Sequence, residues 1–346
     1  MRSRSSTAAA VQSPQRAGMD SFFIAALDIG GSKMAATIAN AAGPLVRVVE
    51  PTIKTGSADA ISEQALALLD AARKKAGATA ITHLGVSSCG PFAFQGQQLG
   101  LVAPNLCGGL TRSDDLPNDW TFIPLEAPLR AQFSTVVIEN DCIAALTAER
   151  CFGAAQHEPN CIYVTWSTGI GFGLCVDGHI LRGKHGNAGH AGHMLLSETS
   201  SALCGCGNLG DLEGLVSGRN LGNRFGRTTS ELFAAAHVGE AAALSVVQEA
   251  ARWFGRGLYN LAATLDTHCI LIGGSVWQHH ADLLSPLVQV EISSRFAALT
   301  AGVTVRSAAL NTLVTDIGAL ALIMPEAWKE DWRSRAPWTR LQNNPA

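Results

Sequence analysis

Three stretches of this chain run an apolar strand directly into a glycine turn. Residues 22–27 lead into Asp28-Ile29-Gly30-Gly31-Ser32-Lys33 and a second apolar strand over residues 34–39. Residues 161–166 lead into Ser167-Thr168-Gly169-Ile170-Gly171 and a returning strand over residues 172–176, with Asp177-Gly178 closing a hairpin. Residues 269–272 lead into Gly273-Gly274-Ser275, after a helical pattern through Ala251, Phe254, Leu258, Leu261 and Leu265. Glycine lets backbone N–H groups face an anion with no Cβ in the way. One such turn alone is an ordinary hairpin or βα connection. Three in order imply two halves closing on one nucleotide, the first two turns on its phosphates and the third flat against the nucleoside.

Between the first two turns, an apolar strand over residues 133–138 ends in Glu139-Asn140-Asp141, and a helix starts from Cys142 toward Arg150. A carboxylate at the carboxyl end of a strand sits where an α/β fold opens its crevice. Asn-Asp ahead of a helix is equally an N-cap, and the two roles are compatible. Farther on come Gly189-His190-Ala191-Gly192-His193, then Cys204-Gly205-Cys206 and Asp211-Leu212-Glu213. Paired imidazoles beside a Cys-x-Cys are metal-ligand and hydrogen-bonding chemistry rather than core filling.

Composition sets limits on the rest. With 346 residues, 47% hydrophobic, 15% charged and a net charge of −3, the chain can bury two sizeable cores and gives no electrostatic reason to bind nucleic acid. Nine cysteines, several on apolar strands as at Cys161, Cys175 and Cys269, read as buried free thiols in a reducing, cytoplasmic compartment. No apolar run reaches membrane-spanning length. Residues 1–20, rich in Ser, Ala, Gln and Arg and without an apolar h-region, read as a disordered leader, or as sequence ahead of a start at Met19, rather than as a secretory signal. Residues 326–346 carry Trp328, Trp332 and Trp338 among charges and prolines and read as a tail packed on the surface, while His179, His185, His279 and His280 read as surface or loop histidines.

The order DIGGSK, END, STGIGFG, GNAGHAGHM, CGCGNLGDLEG and LIGGS, from about Ile24 to about Leu322, resembles the ROK family (repressors, open reading frames and kinases) of sugar kinases. The resemblance implies an α/β, actin-like ATPase (ribonuclease H-like) fold with a nucleotide and sugar cleft between two lobes. The lobes are expected over residues 21–139 and 140–311, with a helix over 312–325 returning to the first. It implies ATP-dependent phosphorylation of a hexose or N-acetylhexosamine, glucose first and N-acetylmannosamine next, by a homodimer or homotetramer that binds neither nucleic acid nor membrane. By position, Asp28 would help hold Mg²⁺ on ATP. Gly30, Gly31, Ser32 and Lys33 would form the first phosphate loop, Ser167, Thr168, Gly169 and Gly171 the second, and Gly273 and Gly274 the adenosine turn. Asp141 would be the general base, an aspartate near its ordinary pKa sufficing for a proton taken late. Asn140, His190, His193 and Glu213 would hold the sugar, with Gly90 and Asn105 on the opposite wall.

Two positions depart markedly from the family pattern, and Ser167 mildly, a serine where glycine is common whose hydroxyl can still donate to phosphate. His190 stands where Glu is usual, exchanging a two-oxygen anionic acceptor for an imidazole. Asp211 stands where the third cysteine of the family's structural zinc site is usual, leaving His193, Cys204, Cys206 and Asp211 as the candidate zinc ligands. These departures keep a noncatalytic sugar-binding or regulatory role as the alternative, whereas the leader lacks the helical periodicity of a DNA-binding module.

Overall fold

The computed structural model describes residues 22–111 and 116–342; the leader over residues 1–20 and the last residues of the tail, 343–346, lie outside the described residues. Two five-stranded sheets share one plan. In the first, β1 (Phe23–Ile29), β2 (Lys33–Asn40) and β3 (Gly43–Pro51) form an antiparallel meander, and β4 (Ile81–Ser88) and β8 (Thr135–Asn140) extend it parallel to β1. In the second, β9 (Cys161–Trp166), β10 (Ile170–Val176) and β11 (His179–Ile180) repeat the meander, and β12 (Cys269–Gly273) and β13 (Thr304–Ser307) extend it parallel to β9. A small antiparallel sheet of β5 (Phe92–Gln95), β6 (Gln98–Leu101) and β7 (Ile123–Pro124) joins the first lobe. A meander continued by parallel strands, present twice about one cleft, is the actin-like ATPase architecture.

Side-chain alternation along the central strands feeds separate cores. In β1, Ala25, Leu27 and Ile29 enter a first-lobe core with α1 (Ala60–Lys75), whereas Ile24 and Ala26 face a core between the sheets. In β9, Ile162, Val164 and Trp166 enter the second-lobe core and Cys161 and Tyr163 face the shared one. This two-sided burial explains why these strands are continuous apolar runs. All nine cysteines are free, and most are buried. Among the described residues no single helix is long and apolar enough to cross a membrane.

The shared core is filled by α2 (Asp141–Phe152), which follows β8. The second-lobe helices come next: α3 (Leu212–Val216), α4 (Gly218–Phe225), α5 (Thr229–His237), α6 (Ala241–Leu265) and α7 (Ser275–Ser293). Helical periodicity runs over residues 232–255, and the chain there forms α5 and α6, separated at Gly239, which takes φ +86°. The last crossing helix, α8 (Val314–Ile323), returns to the first lobe and lies across α2 and β4. The helices meet backbone to backbone: a Cβ on Gly318 would lie 2.2 Å from the Ala144 carbonyl oxygen. Asp316 anchors α8, accepting from Thr37 Oγ1 at 2.9 Å and from the Arg47 guanidinium at 3.0 and 3.1 Å. Glu149 of α2 accepts from the backbone N–H groups of Ala309 and Leu310, both at 2.9 Å, and so fixes the segment leading into α8.

The tail differs from its surface reading. In α9 (Glu326–Arg335) Trp328 and Trp332 are buried, as is Trp338 beyond it, and all three belong to the shared core. Trp332 donates to Ala41 O at 3.1 Å, and Phe152 of α2 packs on Trp332 and Trp338. Spaced four and six residues apart among charges, these tryptophans show no strong helical stripe, so their burial was masked by the polar residues between them. His280 also differs: it is the kink residue of α7 and stacks on Phe233 at 3.9 Å.

Replacing Gly318 with valine should destabilise the protein by about 1–3 kcal/mol through overpacking at the crossing, read as a lower urea midpoint; an unchanged midpoint would show that α2 and α8 can separate at no cost.

Candidate active site

Strand register assembles the cleft floor. Asp28 of β1 lies beside Ser87 of β4, which lies beside Glu139 of β8; one step on, Ile29, Ser88 and Asn140 align. The carboxyl ends of the parallel strands therefore open together. Ser87 Oγ donates to Asp28 Oδ1 and Thr315 Oγ1 to Asp28 Oδ2, each at 2.9 Å. Burial and the nearby Asp316 push the Asp28 carboxyl up to about 7 despite these hydrogen bonds. The turn after β1 is closed by Gly30 N donating to Lys33 O at 3.0 Å, and Thr52 Oγ1 donates to Gly30 O at 2.7 Å. Asn105 packs against the turn so tightly that a Cβ on Gly31 would meet its Nδ2 at 2.6 Å. Ser32 and Lys33 are exposed.

Asn140 and Asp141 occupy the junction of β8 and α2. Asn140 is the N-cap, its Oδ1 accepting from Cys142 N at 3.0 Å, and Asp141 is the first helical residue, its Oδ1 accepting from the same N–H at 2.8 Å. The capping role thus falls to Asn140. Contrary to the expectation of an ordinary carboxyl, burial raises Asp141, with the Cys142 N–H and the nearby His190 working in the opposite direction.

The second turn is shorter than the sequence suggests: Ser167 N donates to Gly169 O at 3.0 Å, and β10 begins at Ile170. Gly171 belongs to that strand, where a Cβ would meet Cys142 Sγ at 2.6 Å, so packing on α2 accounts for this glycine. Thr168 is exposed at the tip. Ser167 Oγ lies 2.9 Å from Ser275 Oγ, which brings the second turn to the start of α7. Gly274, with φ +86°, packs on Trp166, and Gly273 on Tyr163. Glu213 Oε2 accepts from Ile170 N at 2.9 Å, linking the second turn to α3.

Near Asp141 lies the imidazole of His190, with that of His193 beside it at 6.2 Å between ring centroids. His190 packs on Gly90, where a Cβ would come within 3.0 Å of its Cε1 and Nε2, and within 3.3 Å of Asn140 Nδ2. Its Nδ1 lies 3.0 Å from the Asn187 carbonyl, which can only accept, so Nδ1 carries the proton and Nε2 is a bare acceptor in the neutral ring. Burial lowers the His190 pKa and favours that neutral ring. His193 turns its Nδ1 toward Asp211 Oδ2 at 3.2 Å, and this hydrogen bond raises its pKa. Cys204 Sγ is 3.6 Å from the same nitrogen, and Cys206 Sγ is 3.5 Å from Asp211 Oδ2. The four donor atoms of His193, Cys204, Cys206 and Asp211 all lie within 4.8 Å of one another, one nitrogen, two sulfurs and one carboxylate oxygen, a set that could hold a metal ion. Asp211 is also the N-cap of α3, accepting from Gly214 N at 2.7 Å.

Ser87, Thr52 and Thr315 were not legible as site residues. Ser87 could be found from its place at the end of β4, but Thr315 reaches Asp28 from 287 positions away and carries no local signal.

The ROK family pattern matches residues 24–325. The N-acetylmannosamine kinase of Salmonella typhimurium strain LT2 is 34% identical over 260 residues, covering 72% of this chain and 82% of that protein. The crystal structure of the ROK hexokinase from Thermus thermophilus is 31% identical, with a TM-score of 0.70 over 87% of this chain and 98% of that one. The ROK family glucokinase from Streptomyces griseus, crystallised with glucose and AMPPNP, is 26% identical, with a TM-score of 0.66 over 87% of this chain and 99% of that one. The family pattern runs through both lobes, and the chain belongs to the ROK family.

Proposed function

We propose that the protein is an ATP-dependent sugar kinase acting on N-acetylmannosamine. The observation that carries the kinase reading is the placement of Asp141 at the junction of β8 and α2, with the Asp28 turn on the same sheet and Asn140, His190, His193 and Glu213 around it. Glucose is the first expectation from the resemblance. Two points favour the N-acetyl sugar instead. Relatives 33–34% identical over 260 residues bear that specificity in their name. In addition, the bare Nε2 of His190 is a single uncharged acceptor, the complement of an acetamido N–H, which donates once and accepts nothing.

In this reading Asn140, His193 through its Nε2, and Glu213 hold sugar hydroxyls, and Gly90 keeps the wall beside His190 low. Asp141 takes the proton of the attacking hydroxyl as its oxygen bonds to the γ-phosphorus and the bond from that phosphorus to the β,γ-bridging oxygen breaks, so that ADP leaves. Gly31, Thr168 and Gly169 would supply backbone and hydroxyl donors along the phosphates, with Gly30 shaping the first turn through its bond to Lys33 O, Gly273 and Gly274 a flat surface for the nucleoside, and Asp28 a ligand for the metal. Mg²⁺·ATP, when bound, supplies the phosphoryl group and the charge that neutralises its oxyanions. The His193, Cys204, Cys206 and Asp211 donor set fits Zn²⁺, which would fix the loop that aims His193 and Glu213.

Asp141→Asn should lower kcat by about a thousandfold, with the KM values for sugar and ATP little changed. In the wild type, activity should fall with acidification through a pKa above the ordinary carboxylate range, because the base must be ionised and burial raises it. A purified, zinc-replete protein that phosphorylates no hexose or N-acetylhexosamine would sink the reading in favour of a noncatalytic sugar-binding role. His190→Glu should shift the ratio of kcat/KM for N-acetylmannosamine over glucose toward glucose by about tenfold; an unchanged ratio would remove His190 from sugar selection. Elemental analysis should find one zinc per chain, lost in Cys204→Ser together with several degrees of Tm. Metal-free protein with full activity and unaltered Tm would show that hydrogen bonds alone hold the cluster.

A further inference from the structure

Asn187 belongs to the loop that carries His190, and its carboxamide reaches across to the first lobe. Phe92 N donates to Asn187 Oδ1 at 2.7 Å, and Asn187 Nδ2 donates to Phe92 O at 2.8 Å. One side chain thus satisfies both backbone groups of a β5 residue, as a neighbouring strand would. Because one partner can only donate and the other only accept, the orientation of the amide is determined. The same residue's own carbonyl takes Nδ1–H of His190. Phe92 lies two positions after Gly90, the residue on which the His190 ring rests. The loop is steadied at both ends of this contact: Arg182 is paired with Glu139 of the first sheet and accepts from Ala188 N through its carbonyl at 3.0 Å, and the His185 ring meets Phe94 edge-on at 5.5 Å.

We propose that Asn187 is the latch between the lobes and the positioning residue for His190, so that one residue couples closure of the cleft to recognition of the sugar. This rests on the sugar-kinase reading of the cleft. The side chain joins the lobes while the backbone carbonyl selects the tautomer of His190, and closure therefore presents Nε2 as an acceptor at a set distance from Gly90 and Asn140. Aspartate at 187 keeps the acceptor for Phe92 N and loses the donor for Phe92 O. Alanine loses both, so the loop is no longer tied to Phe92 and its backbone carbonyl is no longer held at a set position against His190.

Asn187→Ala and Asn187→Asp, compared with the wild type, test the coupling by steady-state kinetics with N-acetylmannosamine, glucose and MgATP. The alanine variant should raise the KM for N-acetylmannosamine by about tenfold and the aspartate variant by about threefold. The KM for MgATP and the Tm should stay near wild type, and the preference for the N-acetyl sugar over glucose should fall in the same order. Nitrogen NMR should find His190 protonated at Nδ1 in the wild type and a mixture of tautomers in the alanine variant. Sugar KM values within twofold of wild type in both variants would overturn the proposal, as would equal rises for sugar and MgATP accompanied by a lower Tm. A wild type that turns over no sugar would overturn it together with the kinase reading. A wild type that does, with variants of unchanged selectivity, would overturn the coupling alone.

Discussion

The crossing of α2 and α8 is the contact on which the cleft depends. Both helices lie between the two sheets, and at Gly318 they touch backbone to backbone. That distance sets how far apart the sheets stand, because α8 packs on β1 and β4 of the first sheet and α2 on β9 and β10 of the second. It also sets the site. Asp141 begins α2, and Thr315, in the first turn of α8, holds the Asp28 carboxylate. A shift of one helix along the other would move the Asp28 and Asp141 carboxylates relative to each other, although neither belongs to the crossing itself. The buried Asp316, tied to Thr37 and Arg47, resists such sliding, since separating the pair would leave a carboxylate buried without its cation.

How far this was legible in the sequence follows from how local each signal is. The strands β1, β9 and β12, the turns after them and the junction at Asn140-Asp141 could all be read, because apolar runs and glycine turns are properties of a few neighbouring residues. The ends of elements were less legible: β10 starts at Ile170 and makes Gly171 a packing residue, since the contact that demands glycine there is with Cys142 of another element. Long-range contacts were not legible at all. Thr315 on Asp28, Arg47 on Asp316, Asn187 on Phe92 and the burial of Trp332 each join segments far apart in the chain, and no spacing within either partner announces the other. The raised carboxyl of Asp141 belongs with them, because burial is a property of the assembled cleft.

The two departures from the family pattern look like losses one residue at a time and like substitutions once their neighbours are seen. Asp211 gives up the soft sulfur of a third cysteine, yet it keeps an anionic donor on the same cluster, caps α3 through Gly214 N and accepts from His193. A cysteine could not cap the helix as well, so the carboxylate binds the loop to α3 whether or not a metal is present. His190 gives up the second oxygen and the negative charge of a glutamate. In return its ring is held by Asn187 in one tautomer, and the position offers a single directed acceptor where a carboxylate would offer several. A degenerate site would show orphaned polar groups at these positions. Here each replacement has partners suited to its own chemistry, which argues for a cleft altered in selectivity with its capacity to react retained.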